Sequence, residues 1–245
     1  MKLFDVDIAE TQTISGFKYS GQKIESLSSD EYTIASIEVD GSGSTFGFVG
    51  DLEKMAKNIV ESLSKSPRSN NMLVRVEAFD SSLKEVHGFI ELSKAPADYS
   101  NSLYMGGMTA LYDATGVGIE SVEAYAKDLK KFDFISNGIV FVITDGGENA
   151  SSNYRSSKKV KDLINQVRSN ETMESIKLIL VGIGNELSVK STLENYANQA
   201  GFDQFIWCGD ATPQKLAKLA GFVSKSVSSQ SQSLGTGGAS QNLTF

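Results

Sequence analysis

The chain has 245 residues, 40% hydrophobic and 22% charged. That is enough apolar mass for a real core, and too ordinary a balance for a disordered chain or a disulfide scaffold. Lys and Arg number 23 against 30 Asp and Glu, a net charge of −7, and this sign opposes a phosphate-binding surface, so nucleic acid is not expected as a partner. The single Cys208 and the lack of an N-terminal basic-then-apolar stretch argue for a reducing compartment, the cytoplasm. The longest apolar runs, 139–143 and 178–181, fall far short of the roughly 20 residues that span a bilayer, so no membrane segment is expected.

In chain order, residues 32–39 (YTIASIEV) are mostly β-formers with Gly41 and Gly43 close behind, which predicts a strand ending in a tight loop. Leu52, Met55, Ala56, Ile59, Val60 and Leu63 then recur at helical spacing until Pro67 closes the segment. Residues 72–79 alternate as a strand does, and 86–92 read as its neighbour, reached through turn residues 80–82. So short a link implies an antiparallel pair. A Gly-, Ser-, Asn- and Pro-rich loop over 94–108 leads into a long helix with Leu111, Ala114, Gly118, Val122, Tyr125 and Leu129 on one face.

The runs 139–143 (IVFVI) and 176–181 (IKLILV) have the aliphatic continuity of central strands in a parallel sheet. Val160, Leu163, Ile164 and Val167 mark a helix between them, and Leu193, Tyr196, Ala197 and Ala200 mark another after them. Residues 204–208 (QFIWC) form a last short strand. Thr212 and Pro213 are an N-cap and first-turn pair for a helix carrying Leu216, Leu219, Ala220 and Val223.

This alternation predicts a three-layer, Rossmann-like α/β open sheet, mostly parallel with one antiparallel edge strand and helices on both faces. One domain over 32–225 accounts for it. Residues 1–31, with strand-like pieces at 14–19 and 23–27, are expected to pack on that domain as an extension. From 226 to 245 Ser, Gln and Gly dominate, which predicts a flexible tail. Within it Leu243 and Phe245 are more simply chance composition than a docking peptide.

Open α/β sheets bind ligands at the carboxyl ends of their strands. The first strand ends in Asp40-Gly-Ser42-Gly-Ser44, a carboxylate and two hydroxyls at i, i+2 and i+4, which an extended loop turns to one side. The fourth ends in Thr144-Asp145-Gly-Gly, and Thr109 opens the long helix with a third hydroxyl. Two carboxylates and three hydroxyls without His or Cys make an all-oxygen set, which suits Mg²⁺, with Mn²⁺ or Ca²⁺ as alternatives, and disfavours zinc.

In this order and on these elements, Asp40-x-Ser42-x-Ser44, Thr109 and Asp145 resemble the metal-ion-dependent adhesion site of von Willebrand factor A (vWA) domains, over about residues 32–225. The resemblance implies the vWA fold and a metal site of Asp40, Ser42, Ser44, Thr109 and Asp145. In it Ser42, Ser44 and Thr109 or Asp145 would ligate the metal directly, Asp40 would act largely through water, and a partner's Glu or Asp would complete the shell. It also implies a last helix that shifts on binding, so the helix from Pro213 would report occupancy to the tail. Thr109-Ala-Leu-Tyr-Asp113-Ala and Asp145-Gly-Gly-Glu148-Asn149 are similar to bacterial intracellular members. These serve as adaptors for an AAA+ ATPase machine or a stress-response assembly, which would make this chain a Mg²⁺-dependent protein-binding module and not an enzyme.

Other readings compete for the same residues. Gly41-Ser-Gly43-Ser-Thr-Phe-Gly47 could be taken for a dinucleotide-binding loop, but Asp40 would face the pyrophosphate and the acidic residue expected about 20 positions on is missing. A haloacid dehalogenase-type phosphatase would use Asp40 and Asp145, yet Ser42 stands where its second Asp belongs, and one turn earlier Glu38 would have to replace the nucleophile. A structural assembly protein with a purely stabilising metal is a third reading. Asp113 is expected on a helix surface, Glu148 either near the metal or solvated, His87 at the surface or half-buried in the edge strand, and Trp207 and Cys208 in the core.

Overall fold

The structure, a computed structural model, describes residues 11–14, 16–236 and 242–245. Strands β3 (Glu31–Asp40), β4 (Met72–Phe79), β5 (Leu83–Glu91), β6 (Ile135–Thr144), β7 (Ile176–Ile183) and β8 (Gln204–Gly209) form one sheet in the order β5-β4-β3-β6-β7-β8. Every neighbouring pair is parallel except β4 with β5. Ile37 lies between Val76 and Phe141 in register, so the β-branched and aromatic residues of the central strands stack across the sheet. Along β4 every residue is buried, and the apparent alternation of 72–79 is therefore a choice between two covered faces rather than between core and solvent.

On one face Ile37, Val39, Val76, Phe141 and Val181 pack with α1 (Val49–Ser64) and α5 (Pro213–Thr236). On the other, Ile34, Leu73, Val140, Val142 and Leu178 pack with α2 (Leu111–Lys130), α3 (Ser157–Ser169) and α4 (Leu187–Ala200). This is the expected three-layer sheet with one antiparallel edge strand, a vWA-like α/β fold. None of the helices among the described residues is long and apolar enough to cross a membrane.

Three expectations need correction. Residues 226–236 are not a loose tail, because α5 runs on to Thr236. Buried Gln230 donates from Nε2 to Gly138 O and Ser175 Oγ, its backbone carbonyl accepts from Asn137 Nδ2, and Ser231 Oγ accepts from Arg68 Nε. Polar residues that read as flexible in sequence are thus spent on the sheet. Residues 237–241 lie outside the described residues, whereas Leu243 and Phe245 pack on the α1–α5 face, with Phe245 edge-on to Phe222 at 5.8 Å. Of the extension, Gln12–Ile14 (β1) and Phe17–Tyr19 (β2) form a hairpin, but Ile24–Ser26 is a single 3₁₀ turn rather than a strand. The extension's residues 1–10 lie outside the described residues.

His87 is buried, its Nδ1 3.0 Å from Gly88 O and its Nε2 2.8 Å from Tyr99 Oη. Nearby, fully buried Arg75 ion-pairs with Glu38, Glu77 and Glu85. Three carboxylates around one guanidinium leave excess negative charge in a dry site. Burial accordingly pushes the Glu38 and Glu77 carboxyls upward against the pull of Arg75.

Candidate functional site

The loops after β3 and β6 and the loop before α2 meet at the carboxyl edge of the sheet. After β3, Gly41 and Gly43 are laced to residues 103–107 by backbone bonds: Met105 and Gly106 N–H donate to Gly41 O, and Gly43 N–H donates to Gly107 O. A Cβ on Gly41 would lie 2.0 Å from Leu103 O, and one on Gly107 would lie 2.5 Å from Asp80 Oδ2. Gly41 is therefore required by close approach of two backbones, whereas Gly107 makes room for the Asp80 side chain. Asp80 holds the arrangement, accepting Gly107 N–H on Oδ2 and the Ser82 N–H and hydroxyl on Oδ1.

The second seam joins the β6 loop to α2. Thr109 N–H donates to Asn149 Oδ1 at 2.7 Å, and Asn149 N–H returns a bond to Thr109 O at 3.0 Å. Glu148 Oε2 accepts Tyr112 N–H at 2.8 Å in the first turn of α2, while its Oε1 accepts the Ala150 and Ser151 N–H groups. A carboxylate at that helix end satisfies a free donor and suits the helix dipole. Asp113 is buried rather than on a helix surface, and it accepts backbone N–H groups of Ser152, Asn153 and Tyr154.

The five residues singled out in the sequence fall within this frame. Asp40 is 1% exposed, and both its oxygens are engaged: Oδ1 accepts Ser42 N–H at 2.9 Å and Oδ2 accepts Thr144 Oγ1–H at 2.6 Å. Ser42 Oγ lies 3.2 Å from Ser44 Oγ, which donates to Asp145 Oδ1 at 2.8 Å. Asp40 and Ser42 are buried, Ser44 is exposed and Asp145 is half-buried. Thr109, Ser44 and Asp145 line a cleft of about 500 Å³ with Phe48, Ile183, Val189 and Glu186. Burial pushes Asp40 up to about 6, with Asp145 adding to the rise and the bonds from Ser42 and Thr144 opposing it. Burial also raises Asp145, against the pull of its bond from Ser44.

The donor set can be tested against a hard cation. Mg²⁺ at about 2.0–2.1 Å from each oxygen places neighbouring octahedral ligands about 3 Å apart. The Ser42–Ser44 and Ser44–Asp145 separations of 3.2 and 2.8 Å are hydrogen-bond distances that also fall near that edge, so a cation would take the place of the Ser44–Asp145 bond. The two raised carboxyls are those a nearby cation would return to the ionised form. Among the described residues no group of three or more His, Cys, Asp or Glu is placed to hold a metal, so a metal here would depend on the hydroxyls. Asp80 and Asn149 escaped the sequence reading as positioning residues. For Asp80 the signal was present in Asp80-Ser-Ser82, an Asp-led turn after a strand.

Sheet order and the antiparallel edge are those of a vWA-like α/β fold. Among solved structures the chain is similar to a point mutant of the PilB minor pilin from Streptococcus sanguinis, with a TM-score of 0.58 and 14% identity over 87% of this chain. It is also similar to proximal thread matrix protein 1 from the mussel byssus, at TM-score 0.55 and 18% identity over 81% of this chain. The pilus adhesin SpaC from Lactobacillus rhamnosus GG, in its open conformation, matches at 0.54 and 11% identity over 81%. The chain spans 65%, 46% and 30% of these three proteins respectively. No protein-family model matches the chain, and a search of curated proteins finds no match either.

Proposed function

We propose that the chain is a Mg²⁺-dependent protein-interaction module that binds an acidic side chain of a partner protein. The observation that carries this reading is the continuous run of oxygens from buried Ser42 through exposed Ser44 to half-buried Asp145, each within 3.2 Å of the next. Ser42, Ser44, Thr109 and Asp145 would hold the ion, which supplies a positive centre for a carboxylate. Asp40, with both oxygens engaged, orients Ser42 and acts through water. Only two protein carboxylates face the ion, so charge remains for a third from the partner. That a minor pilin and a pilus adhesin share the fold is compatible with partner binding. The similarity of 109–114 and 145–149 to bacterial intracellular proteins supports a cytoplasmic adaptor or assembly role.

The phosphatase reading finds less support. Glu38, its substitute nucleophile, is fully buried on β3 against Arg75 and Ser36, out of reach of any substrate.

The test is a calorimetric titration of Mn²⁺ and Mg²⁺ into the full chain and into Asp145→Ala and Ser44→Ala, beside partner capture from host lysate in Mg²⁺ or EDTA. One ion bound by the wild type, at least about tenfold weaker in Asp145→Ala, with capture lost in EDTA and in Asp40→Ala, is the expected result. Equal capture in every lane removes the metal from recognition.

A further inference from the structure

Among the described residues six large hydrophobic side chains are exposed: Phe46, Tyr104, Met108, Phe132, Ile135 and Leu187. Ile135 begins β6, at the opposite end of the sheet from the candidate site. Three of the others, Phe46, Tyr104 and Met108, belong to the loops that build that site, and a fourth, Leu187, begins α4 beside the cleft. Phe46, 72% exposed, is two residues beyond Ser44, and Met108, 59% exposed, directly precedes Thr109. Tyr104 lies in the segment laced to Gly41, its ring edge-on to Phe46 at 5.6 Å. Leu187, 74% exposed, follows Glu186 of the cleft wall. A single exposed apolar residue needs no explanation, but four around one polar centre do.

We infer that Phe46, Tyr104, Met108 and Leu187 form an apolar collar that selects a partner protein segment whose carboxylate is flanked by large apolar side chains. This rests on the metal-dependent reading of the site. A carboxylate meeting a cation in open water gains little, because both must lose solvent. Apolar contacts closing around the pair exclude that water and strengthen the attraction at the centre. The protein groups at the centre are carboxylates and hydroxyls, so it is the cation of the proposed reading that makes the anchor a carboxylate, and the collar beside it names the neighbours.

The experiment selects a displayed library of short random peptides with a fixed central Asp or Glu on the full chain in Mg²⁺, with elution by EDTA. Mn²⁺ titration and sedimentation are run on the same protein. Eluted peptides should be enriched in large apolar residues beside the carboxylate. The double variants Phe46→Ser/Tyr104→Ser and Met108→Ser/Leu187→Ser should weaken them by about tenfold or more with Mn²⁺ affinity unchanged. Selection without that enrichment, or affinity unmoved in both double variants, overturns the collar while leaving the metal reading intact. So does Mg²⁺-dependent self-association abolished by those variants, which would assign the surface to a second copy. Absence of Mn²⁺ binding to the wild type strikes the metal reading itself and the collar with it.

Discussion

Asp40 is held between two donors in a nearly dry position, and its proton equilibrium reports on the ion. With no ion bound, its pKa rises from 3.8 to about 6 on folding, so its stabilising contribution is complete below 3.8 and lost as pH rises through 6. Buried His87 runs the other way, lowered from 6.5 to about 4; its contribution is present above 6.5 and lost as pH falls through 4. The two slopes oppose each other across the same window. Asp40→Asn should remove the first. Its amide can donate to Thr144 Oγ1, which then donates to Gly146 O at 3.0 Å. We expect this variant, free of metal at pH 7, to gain about 1–3 kcal/mol in urea unfolding, and to show stability rising from pH 4 to 6.5. In the wild type Mg²⁺ must displace the Asp40 proton, so its apparent affinity should fall about tenfold from pH 7 to pH 5. A pH-independent affinity would mean that Asp40 does not serve the ion.

At the scale of elements, the site depends on how α2 begins, and the far end of the sheet on how α5 is anchored. Glu148 closes the free N–H of Tyr112 and two N–H groups of its own loop. Glu148→Ala should therefore cost about 1–3 kcal/mol and, by loosening Thr109 against Asp145, weaken Mn²⁺ binding as well. A stability loss with unchanged Mn²⁺ affinity would limit Glu148 to capping. The far half of α5 is anchored through Gln230 on Gly138 O and Ser175 Oγ. In Gln230→Ala, amide exchange over 226–236 should accelerate while the amides of β6 stay protected. Exchange equal to wild type would show that helix propensity, not this anchor, orders the segment.

At the scale of the whole molecule, an ion that binds only the folded chain must stabilise it. At a concentration about 100 times its Kd the gain is about 2.7 kcal/mol, or roughly 5–10 °C in Tm for a chain of this size. The wild type should show this rise with Mg²⁺ and Asp145→Ala should not. A rise without Mg²⁺-dependent partner capture would favour a purely structural ion.

The sheet was legible because periodicity is local. The runs 139–143 and 176–181 carry their burial in their composition, and the short 80–82 link dictated the antiparallel edge at β5. Asp40, Ser42 and Ser44 were legible as a group for the same reason, since their spacing lies within one loop. Other roles were not. Gln230 reads as linker until Gly138 and Ser175 lie beneath it, and Asp113 reads as surface until residues 152–154 fold over it. Polar side chains take their meaning from partners that in these cases lie about 40 to more than 90 positions away. The sequence by itself determined the strands of the main sheet, the starts of its helices and the oxygen-bearing residues at the strand tips, because hydrophobic period and turn chemistry act over a few residues. Only the tertiary structure decided the spacing of those oxygens, the buried anchors that hold the loops and the meeting of Phe46 with Tyr104, because each requires separate strand ends to be brought together by the packed sheet.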